Sequence, residues 1–222
     1  MPAGKYSFYL HSDDRTDMLA AGTLETVSQP LRGEFIRTAA IAGSVLYQAD
    51  NRLPSLVTEL FDGQLRYGQL ISLIVALTGQ YDSALLPPAE ILPTVTEGET
   101  GQSDKTDRRR FTLLLPDNPE SRQVAVLLEG TTSRQRGVLL RNLIVAGFAL
   151  HTFDPRLPRL LASMPVPPTD IKALGQLVAQ IAGVTVSGNP DRTGTNADGK
   201  SEMPSVQAKD TSVLRRNMKK IL

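Results

Sequence analysis

Apolar residues recur along this chain with two different periods, and the two alternate in the same order twice. The run Lys5-Tyr6-Ser7-Phe8-Tyr9-Leu10 and the run Arg110-Phe111-Thr112-Leu113-Leu114-Leu115 have strand character, and in a strand successive side chains point to opposite faces. With Phe8 and Leu10 turned inward, Lys5, Ser7 and Tyr9 face out. With Phe111 and Leu113 inward, Arg110, Thr112 and Leu114 face out. Each run leads into turn residues, Ser12-Asp13-Asp14 and Pro116-Asp117-Asn118-Pro119, which cap a first helix predicted over 14–26 and 120–130. Ser28-Gln29-Pro30 and Thr131-Thr132-Ser133 close those helices. A longer helix follows from about Leu31 to Gln48, with Phe35, Ile36, Ala39, Ala40, Gly43 and Leu46 on one wide apolar face. Shorter helices are predicted at 53–61 and 67–77, and again at 157–164 and 170–181.

The recurrence is a repeat in the residues themselves. Arg32-Gly33, Arg37, Gly43, Leu46, Asp50, Arg52, Leu53 and Pro54 are matched by Arg136-Gly137, Arg141, Gly147, Leu150, Asp154, Arg156, Leu157 and Pro158, at a constant offset of 104. Such self-similarity means a duplicated structural unit. The strands fit it only with a one-residue slip, because strict registration would bury Arg110 and expose Phe111 and Leu113. A glycine inside a helix costs about 1 kcal/mol against alanine, so Gly43 and Gly147 predict close backbone packing between two helices. Asp50, Arg52 and Pro54, with their mates, predict a corner between helices, and Arg37 and Arg141 predict internal ion pairs.

The predicted organisation is a first unit over 1–85, a linker over 86–107 rich in Pro, Gly, Thr and Glu, and a second unit over 108–186. A disordered linker over 187–209 and an amphipathic segment over 210–222 follow. A strand, a helix and a second helix, present twice, outline a mainly α fold. It consists of tandem ribbon-helix-helix units forming an intramolecular pseudo-dimer with extra C-terminal helices and a disordered tail. Neither unit could stand alone, since a lone strand has unpaired edges and the long helix has an uncovered apolar face.

Composition then removes chemistry. With no Cys, two His and no phosphate-loop or nucleophile-elbow motif, thiol, metal and triad chemistry have no parts, and no enzyme activity, metal or cofactor is expected. His11 and His151 stand alone with no ligand spacing beside them, and His151, at the end of the long helix, reads as a packing or solvent-facing residue. The N-terminal stretch lacks the apolar core of a signal peptide, and no run of about 18 apolar residues occurs, so a cytoplasmic protein without a membrane partner is expected. A net charge of +1 provides no global attraction to nucleic acid, so a DNA site must be built locally. The candidates are Lys5, Ser7, Tyr9, Arg110 and Thr112 on the outer face of a ribbon in the major groove. Arg32, Arg134 and Arg136 stand beside the helix starts, where free N–H groups can hold phosphates. Lys105 and Arg108 to Arg110 form a basic run next to the second strand. In the last stretch, Leu214, Met218, Ile221 and Leu222 recur at helical spacing, which reads as a docking peptide.

The stretches 16–24 and 35–54 and the ending Asn217-Met218-Lys219-Lys220-Ile221-Leu222 resemble the ParR family of plasmid centromere-binding adaptors. The resemblance implies a ribbon-helix-helix protein that binds directly repeated DNA, lines up in arrays on it and docks an actin-like ParM filament through its tail. It also implies repression of the protein's own promoter. Carried over by position, Lys5, Ser7 and Tyr9 would read bases, while Leu214, Met218, Ile221 and Leu222 would contact the filament. The chain departs from the family pattern in holding two units and one tail. A transcriptional repressor or conjugation accessory factor on the same fold, and a scaffold that binds only proteins, are the alternatives.

Overall fold

In the computed structural model of the chain, residues 2–79 and 107–184 are described. The predicted linker up to residue 106, the segment predicted to be disordered and the predicted docking residues Leu214, Met218, Ile221 and Leu222 lie outside them. Strand β1 (Pro2–His11) is followed by helices α1 (Arg15–Glu25), α2 (Arg32–Ala49), α3 (Leu53–Leu60) and α4 (Tyr67–Thr78). Strand β2 (Arg108–Pro116) is followed in the same order by α5 (Pro119–Glu129), α6 (Ser133–Phe153), α7 (Arg156–Ser163) and α8 (Ile171–Ile181). Asp14 and Asn118, matched across the repeat, cap α1 and α5 by accepting from the N–H of Asp17 and Ser121. The two halves differ at the next junction. Gln29–Leu31 form a 3-10 turn before α2, whereas α6 begins at Ser133, earlier than the breakers predict. Pro30 has Arg134 as its counterpart, and Arg134 can continue a helix inward.

The two strands pair with each other, antiparallel, with Ser7 opposite Thr112, Phe8 opposite Phe111 and Tyr9 opposite Arg110. A local two-fold axis therefore passes through the Ser7–Thr112 pair, and the strands correspond at an offset of 105 where the helices correspond at 104. The turn after each strand absorbs the difference, three residues after β1 and two after β2. This is the slip that inward Phe111 and Leu113 require. Phe8, Leu10, Leu113 and Leu115 are buried on the inner face, and Phe8 stacks on Phe111 at 5.4 Å.

Behind the strands, α2 and α6 cross. A Cβ on Gly43 would overlap the backbone of Leu143, and one on Gly147 would overlap that of Ala39, so the crossing is as close as helix backbones permit. Each repeat then reaches over the other, α3 packing on α6 and α7 on α2, while α4 and α8 meet. The outcome is one hydrophobic core drawn from both repeats, from Phe8 and Leu10 through Ile36 and Val45 to Phe148, Leu157 and Val178. All described residues belong to a single compact unit.

Cross-repeat ion pairing is unequal. The carboxylate of Asp17, fully buried, accepts from Arg141 Nε at 2.7 Å and from the His11 backbone N–H at 2.8 Å. Asp14 takes the other arm of Arg141 at 3.0 Å. The counterpart of Asp17 is Ser121, whose buried hydroxyl has no partner among the described residues. The counterpart of Arg141 is Arg37, which pairs with Glu34 on its own helix and donates to the Leu114 carbonyl at 3.3 Å. The Asp50–Arg52 and Asp154–Arg156 corners, by contrast, are near copies, with guanidinium to carboxylate distances of 2.7 Å in each. These contacts hold the Asp50 and Asp154 carboxyls below the ordinary aspartate range. His151 lies edge-on to Phe35, 4.8 Å between ring centres, and burial with the nearby Arg159 charge lowers its pKa.

Candidate nucleic-acid interface

The strand pair turns one face to the core and the other away from it, and the sequence assigns polar residues to the second. Lys5, Arg110, Thr112 and Leu114 are exposed and Ser7 and Tyr9 are half-buried. The five strand residues that are DNA-binding candidates thus share one face and, with Leu114, form three cross-strand pairs: Lys5 with Leu114, Ser7 with Thr112, and Tyr9 with Arg110. The face is internally ordered. Arg110 donates to the Ser7 hydroxyl from both Nε and a terminal nitrogen, at 3.3 and 3.0 Å, and the Arg108 guanidinium sits 5.0 Å from the centre of the Tyr9 ring. Arg109, one residue between them, points the other way, to Glu25 at 2.9 Å and over Phe111. The basic run therefore divides by strand alternation, two arginines on the outer face and one, still exposed, on the opposite side beside Glu25.

Alongside β1 runs an open groove of about 490 Å³ whose far wall is the start of α6. Lys5, Ser7 and Tyr9 line one side, and Arg134, Gly137 and Val138 the other. Among the described residues Arg134 makes no hydrogen bond or ion pair, so its charge is available to a ligand. Arg136 also lines this groove, but it and Arg32 are engaged within the protein. Each folds back on the chain before it, Arg32 donating to the Val27 carbonyl at 3.0 Å, just past the end of α1, and Arg136 to the Leu128 carbonyl at 2.7 Å, in the last turn of α5. Arg136 thereby caps the last turn of α5, while Arg32 reaches α1 itself through a longer contact to the Glu25 carbonyl at 3.5 Å.

Sequence reasoning overlooked three features here. Arg108 belongs to the outer face through its stacking on Tyr9, and strand alternation from Arg110 was the signal that could have found it. The helix flanking β2 carries the Glu34 carboxylate where the helix flanking β1 carries Val138. Tyr6, at the edge of the groove, donates to Glu129 at 3.3 Å, and burial followed by the Glu129 charge raises its pKa. Among the described residues no cluster of His, Asp or Glu could hold a metal ion, and no helix is long and apolar enough to cross a membrane.

Two copies of a four-helix unit, joined through one strand pair with a basic outer face, agree with what comparison of the sequence finds. The Plasmid stability protein family matches residues 4–74 and again 108–178, more than half of the chain and once per repeat. The chain belongs to this family. Protein StbB of Escherichia coli is 26% identical over 106 residues, which cover 46% of this chain and 83% of that protein. No solved structure matches the chain. The family assignment is thus plasmid stability, broader than the ParR resemblance, and two tandem copies of the family unit fill the described residues.

Proposed function

We propose that the chain is a plasmid partition adaptor: a ribbon-helix-helix pseudo-dimer that lays β1 and β2 in the major groove of repeated DNA. In this reading the segment 210–222 couples the complex to an actin-like ParM filament, and binding near its own promoter represses its operon. The observation that carries the reading is the outer face of the strand pair, where Lys5, Ser7, Tyr9, Arg110 and Thr112 lie together on the side turned away from the core. A two-stranded ribbon fits the major groove, arginine and lysine pair with guanine edges, and serine and threonine accept either base. The start of α6, with Arg134 beside it, would hold a phosphate next to β1. A family of plasmid stability proteins supports the setting.

The test is fluorescence anisotropy of the full chain on the DNA upstream of its own gene and on scrambled DNA, at several salt concentrations. Sequence-selective binding whose affinity falls with salt is expected, since displaced counterions impose that slope. Arg134→Ala should weaken both DNAs alike and flatten the salt slope by about one. Equal, salt-independent affinity for the two DNAs would refute the reading and favour the scaffold alternative.

A further inference from the structure

The two-fold axis through Ser7 and Thr112 relates the ends of the outer face, and the residues it relates are not alike. At an offset of 105, Tyr9 corresponds to Leu114, Arg110 to Lys5 and Arg108 to Ala3. One end carries an aromatic ring with two arginine forks. Of these, Arg110 is oriented by the Ser7 hydroxyl and Arg108 is stacked on Tyr9. The other end carries a lysine and a leucine side chain that is 54% exposed. A large apolar residue on the outside of a strand gains nothing from the core. Arginine and lysine also differ in kind: a planar fork matches the paired acceptors of guanine, and an ammonium is a point charge. The flanking helices add to the difference, Arg134 and Val138 beside β1 against Pro30 and Glu34 beside β2.

We infer that the strand pair has a fixed polarity on DNA. The Tyr9–Arg108–Arg110 end reads guanine in one half-site, the Leu114 end takes a thymine methyl group in the other, and each chain binds one non-palindromic sequence in one direction. The inference rests on the DNA-binding reading above and specifies its ligand. Leu114 then has a reason to be exposed, because the C5-methyl of thymine is the apolar feature of the major groove.

The experiment is selection of duplexes from a random library with the full chain, followed by two measurements on the winning sequence. An asymmetric motif, guanine at one end and thymine at the other, is expected. Replacing that thymine by uracil removes one methyl group and should weaken binding about fourfold, a loss that Leu114→Ala should abolish. Arg110→Lys should relax the preference for guanine about tenfold or more without touching the thymine position. Because the chain has no cysteine, an iron chelate attached at Ser12→Cys reports direction, and its cuts should fall only beyond the guanine end. A palindromic motif, cuts of equal strength on both sides, or no uracil effect would overturn the polarity while leaving DNA binding intact. No enrichment of any sequence would overturn both.

Discussion

Replacing Asp17 by serine would install in the first repeat the residue that the second repeat carries at position 121. The structure makes the cost calculable. Asp17 has no exposed side-chain area and serves two donors at 2.8 Å or closer, Arg141 Nε and the His11 N–H. Serine cannot reach both. Removing one member of a buried pair costs about 3–5 kcal/mol. Arg141 is 18% exposed and retains Asp14 at 3.0 Å, so the lower limit applies, about 3 kcal/mol. With a urea m-value near 2 kcal/mol/M, the midpoint of unfolding should fall by about 1.5 M. Arg141→Met in the same background should recover much of this, because no uncompensated charge then remains, whereas Arg141→Met alone leaves the buried Asp17 carboxylate without its guanidinium, held only by the His11 N–H and ring nitrogen. The two single changes should be non-additive by about 2 kcal/mol. Urea unfolding followed by circular dichroism on the four proteins measures it. A shift below about 0.3 M for Asp17→Ser, or strict additivity, would refute the claim that this pair joins the repeats.

Gly43→Ala and Gly147→Ala place a methyl inside the facing helix backbone and should each destabilise by about 3 kcal/mol despite better helix propensity; an unchanged melting temperature would contradict the close crossing. His151 titrates below its unfolded value near 6.5, so the native state binds the proton less readily. The stability tied to that shift is complete above about pH 6.5 and declines as pH falls below it, so the protein should lose ground to His151→Gln between about pH 7.5 and 5, measured by chemical denaturation at each pH. Deleting 210–222 should leave DNA affinity unchanged and abolish co-sedimentation with an actin-like filament; loss of both together would contradict separate roles for the strand pair and the tail.

The elements were legible because each has a local signal. Alternation marked the strands, Asp14 and Asn118 marked helix starts, and matched glycines marked the crossing, since only a backbone approach explains a helical glycine kept twice. What escaped depends on long-range geometry. Nothing in the local sequence says that Arg32 and Arg136 turn back on carbonyls five and eight residues earlier. Nor does it say that Asp17 finds Arg141 across 124 residues. Side-chain reach and tertiary packing decide those contacts. The outer face of the strands was legible as soon as its phase was fixed, and the phase followed from refusing to bury Arg110.

The pairing of β1 with β2 inside one chain also changes how occupancy responds to dilution. A strand pair assembled from two separate chains disappears as its square law dictates when copies are few. Here the partner strand is covalently supplied at an effective concentration in the millimolar range, so the outer face of the strand pair exists in full at any protein level. Its saturation curve should rise with the first power of concentration for a single site. The same linkage releases the halves from having to match each other. A substitution such as serine for aspartate at position 121 is felt once per molecule, not twice, and the two ends are free to specialise.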